Sequence, residues 1–305
     1  MKLEGIHHVT AITEDAQRNV DFYAGVLGLR LVKKTVNQDN PTVYHLFFAD
    51  EKGSAGSDLT FFEYPGVPPG QAGAGMVHRI VWRVGAEDSL AFWKERLESN
   101  GIETQRLEGA LRFSDPEGLD HELAVIATED EPLIADHPGV PAELALRGFH
   151  AVRAYSVAQD TSRGLLEALE FEPAGEGWEA RGKMRGGLLV YDEPSGERGL
   201  QGAGSVHHVA WASHIDEHAA WRERAIAAGA QPTPVIDRFY FRSIYFREPS
   251  GVLFEIATLG PGFTVDETLE HLGESLSLPP DYEHLRAELE STLRPVRNPR
   301  TVSSG

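Results

Sequence analysis

Apolar positions along this chain come in short alternating runs interrupted by one amphipathic stretch, and the block recurs four times. Gly5-Ile-His-His-Val-Thr-Ala-Ile alternates as a half-buried strand does. Residues 15–27 then set Val20, Phe22, Tyr23, Val26 and Leu27 at helical spacing. Gly28 stops that helix. Residues 29–36, 43–49 and 59–62 follow as strands, separated by the turn-rich Asn-Gln-Asp-Asn-Pro and Glu-Lys-Gly-Ser-Ala-Gly-Ser. The order is β-α-β-β-β.

A Gly/Pro-rich connector over 65–75 leads to the second unit. It begins at Met76-Val-His-Arg-Ile-Val-Trp, with a helix over 86–100 closed by Gly101 and strands near Thr104, at 111–114 and at 121–126. The third starts at Gly148-Phe-His-Ala-Val-Arg-Ala, with a helix over 160–169 and a strand over 187–192. The fourth starts at Ser205-Val-His-His-Val-Ala-Trp, has a helix over 215–228 ended by Gly229, and finishes with strands at 242–247 and 252–257. Along the chain this predicts a first pair of modules in 1–127 (about 5–64 and 76–127) and an acidic, Pro-containing linker over 128–146. A second pair fills 147–258 (about 147–192 and 205–258), and a C-terminal tail covers 259–305 with one short helix over 283–293. The tail is expected to pack across the body, and residues after Arg297 to fray.

Composition narrows the class. At 305 residues, with 41% apolar and 25% charged residues, the chain can bury a large core, and its apolar runs are too short to span a bilayer. No membrane partner is expected. A net charge of −19 repels a phosphate backbone, and the only basic run is Arg30-Leu-Val-Lys-Lys, so no nucleic-acid partner is expected either. With no cysteine there is no disulfide, thiolate ligand or cysteine nucleophile. The first residues enter a strand with no apolar leader, which makes the cytoplasm the expected location. A homo-oligomer is compatible with this composition. The glycine-rich stretches at Gly73 and Gly202 precede strands, not helices, and read as connectors, not phosphate cradles.

The four βαβββ units resemble those of the vicinal oxygen chelate superfamily, which includes glyoxalases, bleomycin-resistance proteins and extradiol dioxygenases. The resemblance spans residues 5–258. It implies an α+β fold in which modules pair into two incomplete barrels, with a metal in a concavity held by residues of first and last strands.

Comparing the units with one another shows which can hold a metal. Their first strands carry His7-His8, His78-Arg79, His150-Ala151 and His207-His208, so only units one and four have histidine at the second position. At the last strand, units four and two carry Glu255 and Glu122, while unit one has Leu59-Thr-Phe-Phe before Glu63 and unit three has Leu188-Leu-Val-Tyr. Glu122 lacks a histidine partner and is expected to pair with Arg79. This leaves His8, His208 and Glu255. Two imidazoles and a carboxylate on one face suit Fe(II), with Mn(II) and Zn(II) also accepting such ligands. A glutamate between Phe254 and Ile256 also calls for a counter-charge. Strand alternation lets one histidine of each pair face the concavity without saying which. The resemblance selects the second of each, leaving His7 and His207 beside them.

Gly5-Ile-His-His-Val-Thr, Asn19-Val-Asp-Phe-Tyr, Gly28-Leu-Arg-Leu-Val-Lys-Lys-Thr-Val-Asn and Tyr44-His-Leu-Phe-Phe-Ala-Asp look like the hydroquinone-type ring-cleaving dioxygenases. That likeness implies that units one and four pair around the site and units two and three pair separately. It also implies an Fe(II)-dependent, extradiol-type cleavage of a hydroquinone or catechol by O2, making a small aromatic molecule and O2 the expected partners. Arg238 and Tyr245 match positions beside the metal that orient a substrate oxygen or donate a hydrogen bond to it. Thr10 and His207 are further candidates there. The alternatives on this scaffold are a glyoxalase-like isomerase or lyase, which would normally add a fourth carboxylate or amide ligand, and a small-molecule sequestering protein, which would dispense with the histidines.

Overall fold

A computed structural model describes residues 1–194, 196 and 199–299. Unit one comprises β1 (Ile6–Thr13), α1 (Ala16–Val20), β2 (Arg30–Asn37), β3 (Asn40–Ala49) and β4 (Asp58–Glu63). Its helix is shorter than the apolar spacing predicts: after Val20 the chain widens into a π turn, Asp21–Val26, which buries Phe22, Tyr23 and Ala24 against the sheet. Unit two comprises β5 (Val77–Val84), α2 (Glu87–Ser99), β6 (Thr104–Leu107), β7 (Ala110–Ser114) and β8 (Asp120–Val125). Unit three runs through β9 (Phe149–Tyr155), a 3-10 turn leading into α3 (Arg163–Ala168), β10 (Glu172–Ala174), β11 (Gly177–Arg181) and β12 (Gly186–Asp192). Unit four runs through β13 (Val206–Ser213), α4 (His218–Ala227), β14 (Ile236–Asp237), β15 (Phe241–Arg247) and β16 (Leu253–Pro261).

The strands form two eight-stranded mixed sheets, ordered β14-β15-β16-β13-β1-β4-β3-β2 and β10-β11-β12-β9-β5-β8-β7-β6. Antiparallel pairing of β1 with β13 joins unit one to unit four, and β5 with β9 joins unit two to unit three. The bodies of the fold are therefore not the consecutive halves 1–127 and 147–258. Each sheet takes one unit from each half, joined first strand to first strand, which is the pairing of units one with four and two with three that the likeness implied. The helices and the outward sheet faces share one large core, containing Trp82, Trp93, Trp211 and Trp221, each fully buried. Two buried carboxylates tie the sheets together. Asp115 accepts from Tyr23 Oη (2.9 Å), which also meets His121 Nε2 (2.9 Å), while Trp82 Nε1 donates to His121 Nδ1 (3.1 Å). Glu248 accepts from Tyr191 Oη (3.0 Å) and from Ser162 Oγ.

Residues 128–146 form no helix or named strand, yet Asp130 accepts from Arg83 (2.6 Å) and Arg181 (2.9 Å), so the linker is clamped to the second sheet. The tail crosses the first sheet. Fully buried Lys33 on β2 meets Asp266 (2.6 Å) and Glu267, and Leu278, Leu289 and Leu293 enter the core from the tail and its helix α5 (Arg286–Thr292). The fraying expected after Arg297 concerns mainly 300–305, outside the described residues. No helix among the described residues is long and apolar enough to cross a membrane.

Candidate metal centre

The site forms where β1 and β13 run antiparallel, with His8 opposite Ala210 and Thr10 opposite His208. Two irregularities bracket this short register. Ile6 pairs with Trp211 and His8 with Ala210, so β1 carries one extra residue, His7. Thr10 pairs with His208 and Ala11 with Val206, so β13 carries one extra residue, His207. Each histidine pair thus sits on a bulge, which turns the extra side chain out of strict alternation. The two rings of each pair touch: His7 Nδ1 lies 2.9 Å from His8 Nδ1, and His207 Nδ1 lies 2.8 Å from His208 Nδ1.

Those contacts determine where the protons sit. His7 Nε2 faces the carbonyl oxygen of Thr258 at 3.2 Å and must donate to it, leaving His7 Nδ1 as an acceptor. His8 Nδ1 then carries the proton, and its Nε2 keeps a lone pair. The Nδ1 contact between His207 and His208 allows the same division, with the proton on His208 Nδ1. His8 Nε2 and His208 Nε2 lie 3.3 Å apart, at 3.1 and 2.9 Å respectively from Glu255 Oε2. Glu255 is held from the other side, since Ser243 Oγ donates to Oε1 at 2.5 Å, and Oε2 receives no hydrogen bond. Three buried lone pairs therefore converge on one point. Donor bonds of about 2.1 Å at right angles place neighbouring donors about 3.0 Å apart. The spacing fits one face of a divalent cation.

Burial pushes the Glu255 carboxyl up, and only positive charge at the His8/His208 position outweighs it and holds the group well below the usual carboxylate range, a counter-charge that a cation bound by the three lone pairs would supply. Burial lowers His208, and with the neighbouring imidazole it lowers His7 to about 3, so His7 stays neutral. The open side of the triad faces a narrow cavity of about 40 Å³, lined by Thr10, Phe47, Phe62, Phe241, Arg238 and Tyr245 among others. Tyr245 has its phenol pushed up by burial and by Glu255, so it remains a donor. The Arg238 guanidinium lies 5.5 Å above the Tyr245 ring and is gripped by Asp39 at 3.0 and 2.9 Å. Thr10 Oγ1 meets Thr60 Oγ1 at 2.9 Å, and Thr60 in turn meets His45 Nε2 at 2.9 Å.

Residues 5–123 match the family model described as Glyoxalase/Bleomycin resistance protein/Dioxygenase superfamily. A protein of Bacillus subtilis (strain 168) named as the ring-cleaving dioxygenase MhqA is 41% identical over 318 residues, covering 97% of this chain and 100% of the relative. The chain belongs to that superfamily. The chlorohydroquinone/hydroquinone 1,2-dioxygenase of Sphingobium indicum is 34% identical over 314 residues, with 96% of each chain covered. A crystal structure of a B. subtilis protein described as a dioxygenase superposes with a TM-score of 0.90 at 39% identity, covering 97% of this chain and 98% of that one. Relatives so named, matched over nearly their whole length, support an enzyme.

Several residues of the cavity wall were not singled out in the sequence. Tyr240 lines the cavity and donates to Asp266 of the tail at 2.9 Å, a contact spanning 26 residues that no local pattern announces. His45 and Phe47 share a strand face with the cavity, which the alternation of Tyr44-His-Leu-Phe-Phe does encode. Glu122 forms the ion pair expected with Arg79 (3.8 Å) and takes a second, shorter contact from Arg112 Nε (2.6 Å), which the sequence did not announce.

Proposed function

We propose that this chain is a metal-dependent ring-cleaving dioxygenase that opens a hydroquinone or catechol with O2 in an extradiol manner, using Fe(II) held by His8, His208 and Glu255. The observation that carries this is the convergence of three buried lone pairs whose open side faces an aromatic-walled cavity. When bound, Fe(II) supplies the one-electron and O2 chemistry that protein side chains lack. A carbon–carbon bond of the ring breaks beside a hydroxylated carbon, and both oxygen atoms enter the acyclic product.

The side chains hold and prepare the substrate. His7 and His207 keep the ligand imidazoles in the tautomer that presents Nε2. Phe47, Phe62 and Phe241 form the apolar wall against which a substrate ring packs as it opens the narrow cavity, and they exclude water. Tyr245 donates from Oη to a substrate oxygen, Arg238 balances negative charge that develops there, and Thr10 fixes the wall next to His8. A glyoxalase-like isomerase or lyase would need a further ligand from unit one. The residue in register there is Thr60, an alcohol already engaged by Thr10 and His45, which favours open positions.

Protein loaded anaerobically with Fe(II) is expected to take up one O2 per hydroquinone opened, and Mn(II)- and Zn(II)-loaded samples identify the active cation. His208→Ala and Glu255→Ala should lose metal by elemental analysis and lose O2 uptake together. Absence of uptake across a panel of hydroquinones and catechols would overturn the reading.

A further inference from the structure

The cavity over the metal centre is too small for an aromatic ring. Its 40 Å³ holds roughly three waters, whereas a ring as small as benzene takes a cavity of about 150 Å³, so a wall must move before a ring can enter. Most of the wall is held by ladders. His8, Thr10, Phe62, His208 and Glu255 stand on β1, β4, β13 and β16, each paired on both sides within the first sheet.

The two ends of that sheet differ. Its end strands β2 and β14 share no ladder, yet the sheet curls until the β2–β3 turn, Gln38-Asp39, meets the segment 238–240 that joins β14 to β15. Among the described residues, the hydrogen bonds across this seam come from side chains. Gln38 Nε2 donates to the Arg238 carbonyl at 2.8 Å, and the Asp39 carboxylate accepts from both terminal nitrogens of Arg238 at 3.0 and 2.9 Å. Gln38, Asp39 and Arg238 all line the cavity, so parting the seam enlarges it. Two observations mark it as the wall that yields. The Asp39 side chain is 72% exposed, and an ion pair so open to water is weak. Phe239, next to Arg238, sits at φ 70°, a left-handed backbone strained for phenylalanine, with its N–H donating to the Asp237 carboxylate at 2.8 Å.

We propose that Gln38 and Asp39 are the latch of this cavity: the turn and the segment 238–240 part to admit an aromatic ring, and a substrate oxygen then takes the place of the Asp39 carboxylate on Arg238. The inference rests on the reading of His8, His208 and Glu255 as a metal centre.

Stopped-flow mixing of anaerobic, Fe(II)-loaded protein with 4-nitrocatechol or with nitric oxide tests it, on the parent, Gln38→Ala and Asp39→Ala. 4-Nitrocatechol carries a ring and needs the open form, so its association scales with the fraction of molecules that are open. Nitric oxide, a neutral diatomic, fits the closed cavity. Association of 4-nitrocatechol is expected to quicken about two- to tenfold in Gln38→Ala and about two- to fivefold in Asp39→Ala, with nitric oxide within about twofold of the parent in both. Gln38→Ala leaves the charge of the site unchanged, so its effect cannot come from attraction between Arg238 and an oxygen of the probe. No binding of 4-nitrocatechol by parent and variants alike, failure of either variant to quicken it, or an equal quickening of nitric oxide would each overturn the latch. No uptake of Fe(II) by the parent would instead overturn the metal centre on which the latch rests.

Discussion

His7→Phe tests whether the bulge on β1 prepares the metal centre. The substitution keeps an aromatic ring beside Phe241, whose centroid lies 5.2 Å from that of His7, and removes the nitrogen that accepts from His8 Nδ1. The buried His8 N–H then either goes unsatisfied, costing about 1–3 kcal/mol, or moves its proton to Nε2 and blocks the ligand position. The first outcome alone corresponds to about 5- to 150-fold in metal affinity, in line with the loss seen when a partner of a ligating histidine is removed. Anaerobic competition against a chelator of known Fe(II) affinity measures it directly, without relying on turnover. His7→Gln, whose side-chain oxygen can accept, should recover part of the loss. An affinity for His7→Phe within about twofold of the parent would refute the argument that this contact holds the tautomer.

Three further outcomes follow from polar groups paired across the fold. Tyr23→Phe leaves His121 Nε2 without its acceptor and Asp115 with one donor fewer, so urea unfolding should show a loss of about 1–3 kcal/mol with metal content unchanged. Lys33→Met strips Asp266 and Glu267 of their buried counter-charge, and should cost about 3–5 kcal/mol and speed proteolytic cleavage of residues 263–278; unaltered cleavage would mean the tail is held by its apolar contacts alone. Asp192 is pushed up by burial, but Arg153 and His78 outweigh this and lower its carboxyl from 3.8 to about 2. Its stabilisation is therefore complete above about pH 4 and fades as pH falls through about 2, so the urea-midpoint gap between the parent and Asp192→Asn should shrink across that window. A gap that stays constant with pH would refute that assignment.

The repeat was legible because each unit writes the same periods in the same order, and a change of period from strand to helix survives the erosion of individual residues. Which units would share a sheet was not legible from order along the chain. The β1–β13 contact joins residues 200 positions apart, and what pointed to it was the histidine comparison between units one and four together with the likeness to the hydroquinone-type enzymes. Lys33 looked like part of a surface basic run because its partners, Asp266 and Glu267, lie more than 230 positions downstream. One local signal was present and unread. Asp115-Pro-Glu-Gly118 and Glu248-Pro-Ser-Gly251 each stand seven residues before the aligned Glu122 and Glu255. In both, the carboxylate caps the turn's own backbone N–H groups while accepting from a tyrosine of another unit, so a turn signature also marks where units dock.

The alternation argument at the histidine pairs rests on a regular strand, and the bulges are where that premise gives way. In a regular strand His7 would point away from His8, and the second histidine of each pair would be a ligand with its far nitrogen unsupported. One extra residue on β1 and one on β13, on opposite sides of a three-pair register, bring each first histidine back against its neighbour. A side chain dedicated to each ligand ring thus comes from the adjacent sequence position, with no contact from a distant segment needed to supply it. On the proposed ligand set, a doubled histidine at the start of a unit's first strand marks a ligand with its own support. By the same logic His78-Arg79 and His150-Ala151, which keep the first histidine without the second, mark the sheet from which the metal ligands are missing.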